Sequence, residues 1–101
     1  MQVRFVAGAR RDLLDGVAFY DKSRSGLGAR FTHAVEQAAA RALAFPHSGS
    51  PAAAHTRRII VKAFPFSLFY RQDGDEIVIF AVAHHSRDPA YWARRVAGES
   101  R

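Results

Sequence analysis

The run Ile77-Val78-Ile79-Phe80-Ala81-Val82-Ala83 passes without a break into His84-His85-Ser86-Arg87-Asp88-Pro89-Ala90-Tyr91-Trp92-Ala93-Arg94-Arg95. A run this apolar, with no polar alternation, reads as a strand buried on both faces, and so as a central strand of a sheet. The segment behind it is the opposite in kind. It brings imidazoles, guanidinium groups, a hydroxyl and two aromatic rings to one edge of the fold, where binding and chemistry tend to sit. Pro89 suits the first turn of a short closing helix that carries Tyr91, Trp92, Arg94 and Arg95. Tyr91 and Trp92 are neighbours on that helix and take different faces, Trp92 as the core anchor and Tyr91 as the exposed ring.

Upstream, Asp73-Gly74 is a hairpin signal that joins the central strand to Phe66-Ser67-Leu68-Phe69-Tyr70-Arg71. Phe64-Pro65 is a turn, and Arg57-Arg58-Ile59-Ile60-Val61-Lys62 is the strand before it. The stretch His47-Ser48-Gly49-Ser50-Pro51 reads as loop, and Pro46 ends a helix. In that helix Phe31, Val35, Ala38, Ala42 and Phe45 recur at steps of four and three, an apolar stripe assigned to the core. Ser23-Arg24-Ser25-Gly26-Leu27-Gly28 is a tight connection to an earlier helix over Arg10 to Tyr20. There Leu13, Val17 and Tyr20 share a face with Leu14 beside them, and Arg11, Asp12 and Asp15 point away. Gly16 permits a close approach of the second helix. Val3 and Phe5 alternate with Gln2 and Arg4 as a short first strand.

The order β-α-α-β-β-β-(α) predicts an α+β domain over residues 1–101, a helical hairpin packed on a small, curved, mainly antiparallel sheet. Its second face lacks a large covering helix and is the expected binding surface.

The chain carries 15 Lys+Arg against 9 Asp+Glu, a net charge of +6, and its pI is near 10.8. Lysine occurs only at Lys22 and Lys62, so arginine dominates, the side chain suited to forked recognition of carboxylate or phosphate. An acidic partner is expected. The absence of cysteine excludes a disulfide framework, a thiolate metal site and a cysteine nucleophile. His84 and His85 are adjacent on a strand and point to opposite faces, while His33, His47 and His55 are scattered, so no metal and no cofactor are expected. No apolar run is long enough to span a membrane, and the first residues lack a signal-peptide core, which makes the cytoplasm the expected compartment.

Four segments together resemble one family. Ala9-Arg10-Arg11-Asp12-Leu13 resembles an "A-x-x-D-L" helix start, and Ser25-Gly26-Leu27-Gly28-Ala29-Arg30-Phe31 resembles an "S-x-G-L-G-x-x-F" hairpin turn. Phe64-Pro65-Phe66-Ser67-Leu68-Phe69-Tyr70 resembles "F-P-Y-x-I-x-Y", and Ala81 to Arg95 resembles the ending "A-V-x-H-x-x-R-x-P-x-Y-W-x-x-R". In this order they are similar to the RelE/ParE superfamily of toxins from bacterial type II toxin–antitoxin systems, the plasmid stabilisation family. The resemblance implies neutralisation by a cognate antitoxin that wraps the toxin with an acidic, amphipathic segment, and contact with operator DNA only through that antitoxin.

The resemblance leaves two targets open. RelE-like members cut mRNA on the ribosome; ParE-like members inhibit DNA gyrase. Ribosome-dependent cleavage needs basic groups to assist the 2′-hydroxyl, hold the phosphate and protonate the leaving oxygen. Here Ser67 stands where such relatives commonly place an arginine, and Ile60 interrupts the basic alternation Arg58, Ile60, Lys62. Arg58, Lys62, His85, Arg87 and Tyr91 remain as the catalytic set of an mRNA endonuclease. The losses favour the ParE-like reading, in which no active site is needed. For binding gyrase or antitoxin the candidates are Arg10, Arg11, Arg24, Arg30, Arg57, Arg71, Arg94 and Arg95. A non-toxic antitoxin-binding module is the third reading.

Overall fold

Strand β5 (Glu76–His84) is the spine of the molecule: every residue from Ile77 to Ala83 is buried. The computed structural model describes residues 1–99. On one side β5 pairs in parallel with β1 (Gln2–Phe5), from Gln2 opposite Glu76 to Phe5 opposite Ile79. On the other it pairs antiparallel with β4 (Phe66–Asp73), which pairs with β3 (Thr56–Val61), which in turn pairs with the short β2 (Ser50–Ala52). The five-stranded order is β1-β5-β4-β3-β2. Phe69 faces Ala81 and Tyr70 faces Ile79, so Phe80 is an extra residue, a bulge that locally increases the twist.

Helices α1 (Ala7–Ser23) and α2 (Leu27–Ala44) form the hairpin on one face of the sheet. A Cβ built on Gly16 would lie 2.5 Å from Phe31 Cε2, so glycine is what lets the two helices close. Gly26 takes φ 88°, a left-handed turn conformation open to glycine, and the Asp21 carboxylate accepts a 2.8 Å bond from Gly28 N–H to start α2. Phe31, Val35, Ala38 and Ala42 are fully buried. The rings of Tyr20, Phe31, Phe64 and Phe66 meet edge-on or tilted at centroid distances of 4.9 to 6.1 Å. Strand alternation thus turns Phe66, Leu68 and Tyr70 towards the helices, and Ser67 and Phe69 to the other face.

That other face is less open than the sequence suggests. Helix α3 (Ala90–Glu99) lies on it, with Trp92 buried and stacked on Phe69 at 4.4 Å between centroids. Tyr91 is exposed, as the division of the two rings requires.

Three further expectations are corrected. Phe45 is 67% exposed rather than core, because the chain leaves helical geometry there (φ −136°, ψ 76°) ahead of Pro46. Asp12 does not point away; it is buried and paired, as described below. Ser50–Ala52 is a strand, not loop: Pro51 has no N–H to offer a ladder, and an outermost strand tolerates that.

Candidate functional site

The chain leaves the sheet after Phe5, so β1 covers only the first half of β5. Val6 N–H donates to the Ile79 carbonyl at 3.0 Å, and beyond that point β5 has a free edge. Side chains complete it. The Asp12 carboxylate accepts from Val82 N–H at 3.0 Å, and the Arg95 guanidinium donates to the Phe80 carbonyl at 2.9 Å. The two side chains join each other through bonds of 2.8 and 3.3 Å, and Tyr91 OH lies 3.4 Å from the same carboxylate. A buried backbone edge must be paired, and here an acid from α1 and a base from α3 do what a strand does elsewhere. Burial alone would lower the Arg95 pKa, but the hydrogen bonds and charge of Asp12, aided by Tyr91, outweigh it and hold the group above its ordinary value. Arg95 also packs over Gly8, where a Cβ would stand 2.6 Å from its Nε.

Next to this lock lies a small cavity of about 250 Å³ whose walls include Asp12, Asp15, His84, Arg87 and Tyr91. The Arg87 guanidinium sits 4.2 Å over the Tyr91 ring. His84 faces the helix side against Phe66, and its Nδ1 accepts from Ser86 N–H at 3.0 Å. His85 faces away from His84 and is joined through Nε2 to the buried Ser67 Oγ at 3.0 Å.

The five residues of the expected catalytic set are spread over different surroundings. Arg58 and Lys62 line a cavity of about 430 Å³ with Arg41 at the β3 edge. Arg87 and Tyr91 line the cavity beside β5. Across the sheet Ile60 stands opposite Ser67 and Ser67 opposite Ala83, a row of three uncharged residues. His85 reaches that row only through Ser67.

The eight binding arginines divide by their surroundings. Arg95 is held in the lock. Arg57 donates to the Gly49 carbonyl at 2.9 Å and the His47 carbonyl at 3.3 Å, which fastens the loop before β2. Arg71 lies over the Phe80 ring at 5.3 Å. Arg94 is exposed on α3. Arg10, Arg11, Arg24 and Arg30 are exposed on α1, on the α1–α2 turn and at the start of α2, and none forms a salt bridge with an acidic residue among the described residues.

The structural residues Asp12 and Tyr70 carry more of the architecture than their sequence context suggests. Tyr70 OH donates to the Pro46 carbonyl at 2.9 Å and accepts from Gly49 N–H at 3.1 Å, pinning the chain under the sheet ahead of β2. A buried tyrosine needs partners for its hydroxyl, which is the signal that points to such a tie. Among the described residues no group of three or more His, Asp or Glu is placed to hold a metal ion, and no helix is long and apolar enough to cross a membrane.

The geometry matches known proteins. The family model described as ParE toxin of type II toxin-antitoxin system, parDE, matches residues 3–89. Among solved structures the chain is similar to one titled "Chromosomal ParDE TA system from P. aeruginosa" at 19% identity, over 83% of this chain and 95% of that chain, with a TM-score of 0.74. At that identity the likeness is one of fold. No curated protein sequence matches the chain. The matched segment takes in the helical hairpin and nearly all of the sheet, and the chain belongs to the ParE toxin family of type II toxin–antitoxin systems.

Proposed function

We propose that this toxin is neutralised by a cognate antitoxin and acts by inhibiting DNA gyrase through surface contact, without cleaving RNA. The observation that carries the choice of target is the neutral row across the sheet. Ile60, Ser67 and Ala83 lie side by side across β3, β4 and β5, with Arg58 a rung away opposite Phe69. Cleavage of a phosphodiester needs several cations converging on one phosphate, because the transition state gathers charge on its oxygens. Here the basic residues line separate cavities, and the histidine nearest the row is joined to a serine hydroxyl. The exposed arginines Arg10, Arg11, Arg24 and Arg30 form instead a positive surface on and around the helical hairpin, suited to an acidic protein face.

Labelled thymidine and methionine incorporation in the minutes after inducing the chain alone in a bacterium tests this. Thymidine uptake is expected to fall first while methionine uptake continues. A first fall in methionine uptake, abolished by Arg58→Ala or Arg87→Ala, would replace gyrase with the ribosome and mRNA. No growth defect on induction would leave only an antitoxin-binding module.

A further inference from the structure

The turn that joins β2 to β3 has a conformation its residues do not favour. Ala54 (φ 58°, ψ 35°) and His55 (φ 58°) both lie in the left-handed region. A hairpin turn with positive φ at both central positions ordinarily holds Asn-Gly or Asp-Gly, because a Cβ is strained there. Here the next residue holds the strain in place. Thr56 is buried, and its N–H and its Oγ1 both donate to the Ala53 carbonyl, the hydroxyl at 2.7 Å. Strain kept by such ties clusters where a side chain has to be aimed, and His55 is the side chain this turn presents.

His55 lines a cavity of about 330 Å³ with His47, Arg57, Arg71 and Gln72. It lies where β4 runs on past its last rung with β3, Arg57 opposite Tyr70, at the far end of the strand from Ser67 and His85. Two guanidinium groups and two imidazoles stand in its walls, and no aspartate or glutamate among the described residues does. The cavity beside β5, by contrast, contains Asp12 and Asp15. Small-molecule sites begin at about 300 Å³, so the space suits a small ligand.

Arg57 is prepared to receive that ligand. Its hydrogen bonds to the His47 and Gly49 carbonyls both come from Nη1. Nε and Nη2, which together form the side-on fork of a guanidinium, make no hydrogen bond to another described residue. An arginine fixed on one side and open on the other grips an anion with little further loss of freedom. The loop carrying His47 is fixed too, by the bonds of Tyr70 OH to the Pro46 carbonyl and Gly49 N–H. Arg71, over the Phe80 ring at 5.3 Å, adds positive charge to the wall.

We propose that this cavity binds a phosphate group, either free phosphate or the terminal monoester of a small nucleotide. The Arg57 fork takes two of its oxygens, and the His47 and His55 rings donate to the rest. A carboxylate carries one charge, which the fork alone satisfies. A phosphate monoester brings three free oxygens and a charge of about −1.5 to −2, which matches several basic groups around one space. The site lies apart from the arginine surface of the helical hairpin and from the locked β5 edge, so it stands independently of the toxin–antitoxin reading.

The test titrates the full chain with inorganic phosphate, adenosine 5′-monophosphate and adenosine at constant ionic strength, following the backbone amide and Arg57 Nε–H resonances. Saturable shifts at His55, Arg57 and Gln72 are expected with both phosphates and none with adenosine. Tighter binding of the nucleotide would assign the site to a nucleotide, and equal affinities would assign it to the free anion. Arg57→Lys keeps the charge and loses the fork, and His55→Gly removes the ring at a φ that glycine accepts, so each is expected to weaken binding roughly tenfold. His55→Gly should hold or raise the melting temperature, which shows that its loss of binding is not a loss of fold. No saturable shift with either phosphate would overturn the site. So would shifts that adenosine or chloride reproduces, or undiminished binding by either variant.

Discussion

Asp12 joins parts of the chain that are 83 residues apart, pairing α1 with Arg95 of α3 and with the backbone of β5. Replacing it by alanine strands a largely buried guanidinium and an unpaired Val82 N–H. Asp12→Ala is therefore expected to lower stability by about 2–4 kcal/mol, and Asp12→Asn by less, since the amide oxygen still accepts from Val82. Urea unfolding measures both, and a double-mutant cycle with Arg95→Gln should return a coupling above about 0.5 kcal/mol. Tyr20 gives a pH prediction. Burial among phenylalanine rings lifts its phenol above the ordinary 10.0. The unfolded chain then ionises first, so this contribution to stability is whole below pH 10 and is lost as pH rises through the higher native value. Tyr20→Phe should show a smaller loss between pH 9 and 11 than the parent chain. Neither role was legible in the sequence. Helical periodicity ranks Asp12 with the polar face because it registers only the apolar side, and nothing local connects it to Arg95. The opposed histidines were legible, because strand alternation alone separates His84 from His85.

Features marked by local chemistry, such as the β4–β5 turn and the crossing at Gly16, were legible in the sequence, whereas features set by distant packing, or too short to show a pattern, were not. Asp73-Gly74 forms the β4–β5 turn with Gly74 at φ 58°, and Gly16 sits where the helices cross. A methyl group there meets Phe31, which is fully buried and cannot retreat. Gly16→Ala is therefore expected to destabilise by about 1–3 kcal/mol from overpacking, against a helix-propensity gain of about 1 kcal/mol. A rise in melting temperature would mean that the hairpin is looser than this. Helix α3 was visible from Pro89 and its paired aromatics, but not its seat on Phe69, which depends on how the sheet twists. Trp92→Ala should cost about 3–5 kcal/mol and raise amide exchange along α3 and around Val82 more than in α2. Equal loosening everywhere would argue against α3 as a separately docked element. Strand β2 was missed because three residues with a central proline give no alternation to read.

For the molecule as a whole, net charge and composition pointed to an acidic partner before any fold was known, and the order of elements predicted the α+β class. The parallel β1–β5 pairing and the two differently finished sheet edges needed three dimensions. One edge is locked by Asp12 and Arg95; at the other, Arg41 donates to the Ile60 carbonyl. Of the candidate arginines, Arg95 and Arg57 are engaged within the fold, which no local sequence pattern signals, while Arg10, Arg11, Arg24 and Arg30 remain on the surface. Under the proposed function, gyrase is contacted through that arginine surface. Reversing Arg24 and Arg30 to glutamate is expected to weaken inhibition at least tenfold without changing stability, because these residues are exposed and touch no acidic partner among the described residues. The most direct measurement is supercoiling of relaxed plasmid by purified gyrase with increasing amounts of the purified chain. The account predicts that supercoiling falls with added toxin and is restored by the antitoxin. Supercoiling untouched at saturating toxin, with mRNA cut on ribosomes by the same preparation, would contradict it.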